Sequence, residues 1–322
     1  MTSEFDLIRE YFTRPTHHTD LSVGDDAALI SVGKGMELAI SADMLVAGTH
    51  FFHDANAYKL GWKSLAVNIS DMAAMGANPK WTTLAIALPH VDNHWLTEFS
   101  RGFFACANMF NIDLIGGDTT RGPLTISVQI MGEVARSTAI KRSGAKVDDD
   151  IWVSNTLGDA ALGLAHMQDK LQDKFPLDDG YIEYCLHALH TPQPRVGLGL
   201  ALRSIANSAI DISDGLLSDL GHILKASNVG AEVHLKQLPV SVFISQHLHE
   251  KQIQQYVLAG GDDYELCFTA PVGLREKIHS VGRELNLTLT HIGRITSTPE
   301  LLVVDESQNL IHFNKTGYDH FA

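Results

Sequence analysis

The sequence predicts a protein of two α/β domains, and three observations support this prediction. The chain has 322 residues, and at roughly 150 residues per domain this length suggests two domains. Apolar runs typical of strands alternate with helical patterns in both halves, as in α/β proteins. The hydrophobic fraction of 45% lies in the globular range, so each domain can form a core. The sequence contains no internal repeat and no low-complexity tract that would indicate another architecture.

The individual elements are predicted from apolar periodicity and from the turn residues between apolar runs. In the first half we predict strands at 27–30, 38–41, 113–115 and 124–134, and helices at 58–76 and 94–110. The polar stretch 136–150 ends in three aspartates and is the best candidate for a domain junction. The domains are taken as residues 1–137 and 138–322. In the second half we predict strands at 151–154, 265–269 and 301–304, helices at 158–171 and 216–226, and a polar loop at 173–180.

Charge and cysteine usage exclude several classes of protein. The chain has 38 acidic and 24 basic side chains, a net charge of −14, and no run of Lys and Arg, which argues against binding nucleic acid or an anionic membrane. No apolar stretch approaches the ~18–20 residues of a membrane span, and the N-terminus lacks the apolar core of a signal peptide. The cysteines are widely spaced without a CxxC pair, so we expect free core thiols in a reducing cytoplasm.

Aspartate recurs beside glycine or small residues at the ends of apolar runs. The segments are 23–28, 40–44, 114–122, 209–215 and 258–264. Each could be turn chemistry alone, because glycine adopts positive φ and aspartate bonds its own backbone. Five such segments at predicted strand ends favour a ligand site, since ligands of open α/β sheets bind at strand ends.

Asp71 is the single residue that most strongly indicates a functional site. It is the only charged residue in segment 65–77, whose small apolar residues predict a helix packed on most faces. A buried carboxylate needs a cation, which is either a basic side chain or a metal ion. We favour a metal because the surrounding motifs supply acids rather than bases, and the oxygens of Asp and Ser suit Mg²⁺.

A phosphate site also needs cationic or N–H donors. Arg142 and Arg121 lie in small-residue turns, and the helix that begins after Asp214-Gly215 offers N–H groups. Each arginine alone would more often be a surface residue, and His50 alone is interpreted as structural. Familiar catalytic motifs are absent, because the sequence has no P-loop, GxGxxG, HExxH or GxSxG pattern.

Eight segments, in chain order, resemble the thiamine-monophosphate kinase family. They are GDDAALI (24–30), SADMLVAGTHF (41–51), KSLAVNISDMAAMGANP (63–79), LIGGDTTRGPL (114–124), RSGAK (142–146), AIDISDGLLSDLGHI (209–223), GGDDYELCFT (260–269) and GYDHFA (317–322). More distantly, the chain is similar to aminoimidazole ribonucleotide synthetase and related ATP-dependent enzymes. The resemblance implies their two-domain α/β (α+β) fold, in which the N-terminal domain binds metal and ATP and forms a barrel across a homodimer interface. The C-terminal domain would close over the active site.

The resemblance also implies a reaction and a set of site residues. ATP and thiamine monophosphate would give ADP and thiamine diphosphate, with several Mg²⁺ ions. The residues implied to bind Mg²⁺ are Asp26, Ser41, Ala42, Asp43, Asp71, Asp118, Asp211 and Asp214. Those implied to contact ATP are Gly117, Asp118, Arg142 and Ser213, and those implied to contact thiamine monophosphate are His50, Asp262 and Tyr318. The implied catalytic residues are Asp43, Asp71, Asp118 and Arg142.

Two positions depart from the pattern of the family. Ala42 stands where a threonine is expected, which is harmless if that position binds metal through its backbone carbonyl. Asp262 replaces the more usual glutamate, which shortens the reach to the substrate by one methylene.

The implied chemistry needs no general base, because a phosphate acceptor is already largely deprotonated at pH 7. We therefore expect direct transfer without a phosphoenzyme, through positioning and charge neutralisation. Three alternatives are synthesis of aminoimidazole ribonucleotide, a non-catalytic Mg-nucleotide sensor and a metal-dependent phosphatase. The acceptor-side residues favour a kinase over a sensor, and no residue stands out to activate water for a phosphatase.

Overall fold

The fold is described from a computed structural model over residues 4–171, 179–313 and 317–318. The chain divides into two compact units. The N-terminal unit comprises Met1–Met72 and Ala77–Ser137, and the C-terminal unit comprises Ala73–Gly76 and Thr138–Ala322. In the described parts of the chain, no helix is long and apolar enough to cross a membrane.

The N-terminal unit is built on one mixed sheet of four strands. The strands are β1 (Met36–Val46), β2 (Asn78–Leu88), β3 (Asp113–Arg121) and β4 (Thr125–Ala135), and the helices are α1 (Glu4–Leu7), α2 (Ala57–Ala74) and α3 (Asn93–Phe110). The strand order is β1-β4-β2-β3, and all pairs are antiparallel except β2 with β3. Within one chain this sheet is open, with β1 and β3 at its edges.

Helix α2 is packed on nearly every face, as its small apolar residues predict. Residues 60–70 are all buried. The helix packs against α3 with backbone in direct contact, because glycine stands at both contact points. A Cβ on Gly61 would lie 2.1 Å from the carbonyl oxygen of Phe99, and one on Gly102 would lie 1.9 Å from that of Tyr58. Only residues without a side chain allow these helices to approach so closely.

One prediction for this unit was wrong, and one strand was missed. The apolar run 27–30 is not a strand, because only Leu29 pairs, in an isolated bridge with Leu21. Strand β2 was not predicted, since Pro79 and two alanines are residues that strands normally disfavour. It forms nonetheless between β3 and β4, where both of its edges are hydrogen-bonded.

The C-terminal unit contains a six-stranded sheet. Its strands are β5 (Asp149–Ser154), β6 (Ser208–Asp211), β7 (Gly230–His234), β8 (Leu266–Pro271), β9 (Leu289–Thr296) and β10 (Leu301–Val304). Its helices are α4 (Asp159–Met167), α5 (Asp179–His190), α6 (Val196–Leu202), α7 (Leu216–Ser227), α8 (Val242–His247), α9 (Glu250–Ile253) and α10 (Arg275–Glu284). The order is β10-β7-β9-β5-β8-β6, and only β10 and β7 are parallel.

Both faces of this sheet are covered, which explains the continuous apolar run of β5. Ile151 and Val153 belong to one hydrophobic cluster, whereas Trp152 between them belongs to another. Successive residues of a strand point to opposite faces, so residues 151–153, which pack on both sides of the sheet, are all apolar.

The aspartates of the predicted junction are part of the fold. Asp149 and Asp150 are buried in β5 rather than exposed in a linker. Asp149 accepts hydrogen bonds from the side-chain amide of Asn207, and Asp150 accepts two from the guanidinium of Arg275. Paired in this way, the carboxylates tolerate burial. Helix α4 ends at Met167, short of the predicted end, and most of the predicted loop 173–180 lies outside the described residues.

Candidate active site

In the N-terminal unit, three of the predicted metal-binding residues lie between β1 and α2. The hydroxyl of Ser41 donates to the carboxylate of Asp71 at 2.5 Å. The N–H of Asp43 donates to the side-chain oxygen of Asn68 at 3.2 Å, and Asn68 lies one turn before Asp71 on α2. Asp71 is half-buried, beside a helix surface that is otherwise closed to solvent.

Asp118 lies on the opposite face of the same sheet. One row of neighbours across the sheet is Asp43, Val128, Leu84 and Gly117, and the next row is Met44, Ser127, Ala85 and Asp118. Because side chains alternate between the faces of a sheet, Asp118 shares the face of Met44 rather than that of Asp43. Asp118 and Met44 are both exposed. The structure therefore brings Ser41, Asp43 and Asp71 together and leaves Asp118 apart from them within one chain.

The glycine before Asp118 is required by the backbone. Gly117 has φ of +147°, and a Cβ there would lie 1.8 Å from the carbonyl oxygen of Leu84. No other residue fits, and the absence of a side chain leaves the strand open to a ligand.

The remaining predicted residues of this unit lie toward solvent. Asp26 and Ala42 are exposed, and His50 is half-buried. The Nδ1 atom of His50 accepts the N–H of Val46 at 3.0 Å. A neutral ring therefore carries its proton on Nε2, which is a donor suited to phosphate.

In the C-terminal unit, the loop Ile212–Gly215 holds together most of the predicted site. It follows Asp211, which is buried at the end of β6. The carbonyl of Ile212 accepts the N–H of Tyr264 at 2.8 Å. The carbonyls of Ser213 and Asp214 accept the N–H groups of Asp262 at 2.9 Å and Tyr318 at 3.0 Å, respectively. Two predicted substrate residues are thus fixed by backbone bonds beside predicted ATP and metal residues.

Sequence reasoning missed Asp219, on the first turn of α7. Its Oδ2 accepts the N–H groups of Ser213 and Asp214 at 3.0 Å and of Gly215 at 3.2 Å. Burial raises the pKa of this carboxyl to about 7, aided by the charge of Asp214 and opposed by the three N–H donors. The free N–H groups predicted for this helix start are therefore not available at Ser213, Asp214 and Gly215, because Asp219 binds all three.

The loop that carries Asp262 has an unusual backbone. Asp262 and Tyr264 both have positive φ, at 69° and 50°, a conformation that is costly outside glycine and asparagine and is often found at functional sites. Side chains on both sides hold it. The carboxylate of Asp263 accepts the N–H of Gly158 at 3.0 Å, and Glu265 accepts two hydrogen bonds from the guanidinium of Arg195. Burial, and then the nearby carboxylates, raise the pKa of Asp263 well above its usual range.

Arg142 is exposed, but its loop is anchored. The hydroxyl of Ser227, at the end of α7, accepts the N–H groups of Gly144 and Ala145 at 3.1 Å and donates to the carbonyl of Arg142 at 3.2 Å. The guanidinium therefore extends from a fixed backbone.

The donor set fits Mg²⁺ in small groups rather than as one cluster. Among the described residues, no three His, Cys, Asp or Glu side chains are grouped to hold a metal ion. Mg²⁺ is usually bound by one or two carboxylates together with waters and substrate phosphates. Asp71, with the hydroxyl of Ser41 against it, and Asp43, whose backbone is held to α2 by Asn68, supply oxygens of this kind.

Comparisons with known proteins agree with the resemblance. Family models of the AIR synthase related protein match residues 24–134 (N-terminal domain) and 146–306 (C-terminal domain). Thiamine-monophosphate kinase of Escherichia coli (strain K12) is 46% identical over 322 residues, which cover 99% of this chain and 98% of that protein.

Solved structures show the same likeness. The crystal structure of thiamine-monophosphate kinase from Stenotrophomonas maltophilia K279a has 47% identity and a TM-score of 0.83, covering 89% of this chain and 91% of that one. A structure described as AaThiL complexed with AMPPCP and TMP has 27% identity and a TM-score of 0.75, covering 93% and 92%.

Proposed function

Since the chain belongs to the thiamine-monophosphate kinase family of AIR synthase related proteins, we propose that it transfers a phosphoryl group from ATP to thiamine monophosphate. The products are ADP and thiamine diphosphate. The observation that carries this proposal is the loop Ile212–Gly215, whose carbonyls bind the N–H groups of Asp262 and Tyr318. We take this loop as the nucleotide-binding segment and Asp262 and Tyr318 as acceptor-side residues. Their hydrogen bonds then join the sites of two substrates, as a two-substrate transferase requires and a sensor does not.

The reaction is in-line transfer between two phosphates, with no covalent intermediate on the protein. The acceptor oxygen is already ionised, so the protein must position two anions and reduce their repulsion. Bound Mg²⁺ would neutralise phosphate charge. We assign its binding to oxygens of Asp26, Ser41, Ala42, Asp43, Asp71, Asp118, Asp211 and Asp214.

The geometry refines the roles of the nucleotide and substrate residues. Ser213 reaches ATP through its hydroxyl, because Asp219 binds its N–H. The Arg142 guanidinium clamps phosphate oxygens from an anchored loop. Nε2–H of His50 donates to the phosphate of thiamine monophosphate, while Nδ1 is held by Val46. Asp262 and Tyr318 bind the remainder of that substrate.

We also propose that the active form is a homodimer joined through the exposed face of the N-terminal sheet into a barrel. Ile40 and Met44 on β1 are 56% and 57% exposed, an apolar surface on an edge strand that isolated proteins normally avoid. Met44→Glu should convert the dimer to monomers in sedimentation analysis. The control Val242→Glu, on an exposed residue of the C-terminal unit, should leave the dimer intact.

We place this reaction in the cytoplasm, because Cys106, Cys185 and Cys267 are buried, unpaired thiols.

The deciding experiment incubates the protein with ATP, Mg²⁺ and thiamine monophosphate and separates the thiamine phosphates by chromatography. We expect thiamine diphosphate, and no reaction with precursors of aminoimidazole ribonucleotide as control substrates. A folded sample that forms no diphosphate would reject the proposal. With γ-labelled ATP, label should pass to thiamine diphosphate and none should remain on the protein.

A further inference from the structure

We propose that Asp219 is a positioning residue that fixes, through one carboxylate, the arrangement of both substrate-binding segments of the C-terminal unit. Asp219 is 2% exposed, and its side chain is directed back from α7 to the loop before that helix. Its kinetic consequence rests on the proposed function, whereas its structural consequence does not.

The first step concerns the donors of the loop. The N–H groups of Ser213, Asp214 and Gly215 follow β6 and precede α7, so neither the sheet nor the helix supplies their acceptors. All three converge on Oδ2 of Asp219. The bond from Gly215 is buried, and those from Ser213 and Asp214 are partly buried. An N–H that is shielded from water and loses its acceptor destabilises the fold, so this loop conformation depends on that oxygen.

The second step concerns the acceptors of the same loop. The carbonyls of Ile212, Ser213 and Asp214 bind the N–H groups of Tyr264, Asp262 and Tyr318. Each of the three peptide units whose N–H binds Asp219 thus also carries the carbonyl that binds Tyr264, Asp262 or Tyr318. A shift of the loop must move both segments.

The third step is that the loop and the two substrate segments are in close contact. A Cβ on Gly261 would lie 2.3 Å from the carbonyl oxygen of Ser213, and one on Gly317 would lie 2.8 Å from that of Asp214. Backbone is therefore in contact with backbone, and a displacement of the loop cannot be absorbed by side chains.

The test compares Asp219→Ala and Asp219→Asn with Asp150→Asn. The alanine removes the acceptor, and the asparagine keeps one neutral oxygen but loses the charge. Asp150 is equally buried in the same unit and is paired with Arg275, so its variant measures destabilisation alone. Assays are run at a temperature at which unfolding curves show each variant fully folded.

The first readout is amide hydrogen exchange, which needs no activity. Peptides containing Asp262, Tyr264 and Tyr318 should exchange at least about 10-fold faster in Asp219→Ala than in the wild type. The change should be smaller in Asp219→Asn and absent in Asp150→Asn. Unchanged protection at these three N–H groups in both Asp219 variants would overturn the proposal, even if one variant folds poorly.

The second readout is steady-state kinetics with both substrates. Misplacement of the loop should lower kcat/KM for ATP and for thiamine monophosphate together by about 10-fold or more, because the loop carries Ser213 of the proposed ATP site and holds the two segments proposed to bind thiamine monophosphate. Asp150→Asn should stay within about 2-fold of the wild type. Folded Asp219 variants with wild-type kcat/KM would also overturn the proposal. If the wild type itself makes no thiamine diphosphate, the proposed function fails and the exchange measurement still decides the role of Asp219.

Discussion

Asp159 shows how burial determines the charge of a side chain in this protein. Its carboxylate is 3% exposed and accepts hydrogen bonds from the hydroxyls of Tyr181, Ser241 and Thr156. Burial raises its pKa more than these hydroxyl donors lower it. The folded-state pKa therefore lies above the unfolded value of about 3.9. The stability contributed by this group is complete below pH ~3.9 and is lost as the pH rises through the folded-state pKa.

This linkage predicts a pH-dependent effect of Asp159→Asn. The variant cannot titrate, so its loss of unfolding free energy relative to the wild type should be larger at pH 4.5 than at pH 7.5. Urea denaturation at the two pH values measures the difference. Asp305→Asn is the control, because hydrogen bonds from Asn309 lower the pKa of Asp305 and its contribution does not decline as the pH rises. If the loss of unfolding free energy caused by Asp159→Asn stayed constant or grew as the pH rose, this account would be contradicted.

Asp71 is where the sequence was most informative about chemistry. The lone carboxylate among small apolar residues predicted an unusual role, and the structure places it against Ser41, directly after the buried residues 60–70 of α2. We expect Asp71→Asn to lower kcat by about 100-fold or more, because a charged oxygen proposed to bind Mg²⁺ is replaced by a neutral amide. The fold should be retained, because the amide oxygen still accepts from Ser41. Turnover of thiamine monophosphate measures the effect.

The same Asp→Asn substitution at another position of the N-terminal unit serves as the control. Asp92 caps α3 by accepting the N–H groups of His94 and Trp95, and asparagine caps a helix equally well. Asp92→Asn should therefore keep wild-type turnover. If Asp71→Asn also did so, Asp71 would be structural.

Two helical glycines give opposite predictions for the same substitution. Gly102 lies where α3 meets α2, and a Cβ would be 1.9 Å from the carbonyl oxygen of Tyr58. Gly221 lies within α7 with no atom within 4 Å of its added Cβ. Alanine at Gly221 should stabilise the protein by about 0.5–1 kcal/mol through helix propensity. Alanine at Gly102 should destabilise it by about 1–3 kcal/mol or more, because the clash with backbone outweighs propensity.

Thermal or urea unfolding of Gly102→Ala and Gly221→Ala tests this pair. If both substitutions stabilised the protein, the close packing of α2 on α3 would be wrong. A shift in opposite directions confirms that the contact, rather than the residue type, decides the outcome.

The elements show which parts of the fold a sequence can predict. Helix α2 and strand β10 were predicted because their apolar patterns are local. Strand β2 was missed because its pairing with β3 and β4, rather than its own residues, stabilises it. Asp219 was missed for the same reason, since its acceptor role depends on a turn that only the folded chain forms. The candidate residues could be named from sequence motifs, but their division between sheet faces required the strand register.

The positions of the buried aspartates change how the net charge of the molecule is interpreted. The net charge of −14 is not only a surface property. Asp149, Asp150, Asp159, Asp211 and Asp219 are buried. Of these, Asp149, Asp150 and Asp159 are bound by side-chain donors and Asp219 by backbone N–H groups, and only Asp211 is assigned to Mg²⁺. Part of the net negative charge is therefore bound within the fold and does not contribute to metal binding.

The last prediction follows from the face of the N-terminal sheet on which Asp118 lies. Within one chain, Asp118 and Asp43 are on opposite faces of the N-terminal sheet, and Asp118 shares its face with Met44 of the proposed dimer interface. In a twofold dimer that face meets its copy, so we expect Asp118 to serve the active site whose Asp43 comes from the other subunit. Each single variant, Asp43→Asn or Asp118→Asn, should then be inactive as a homodimer.

A mixed dimer separates the two arrangements. In this dimer one subunit carries Asp43→Asn and the other carries Asp118→Asn. If each active site takes Asp43 from one subunit and Asp118 from the other, one site carries both substitutions and the second site carries neither. Heterodimers purified through two different affinity tags should then show about half of the wild-type kcat. If Asp118 served its own subunit, each site would carry one lesion and the mixed dimer would be inactive. The control is a mixed dimer of Asp43→Asn and Asp71→Asn, because Asp71 on α2 lies at the sheet face that carries Asp43. This mixed dimer should be inactive in either arrangement.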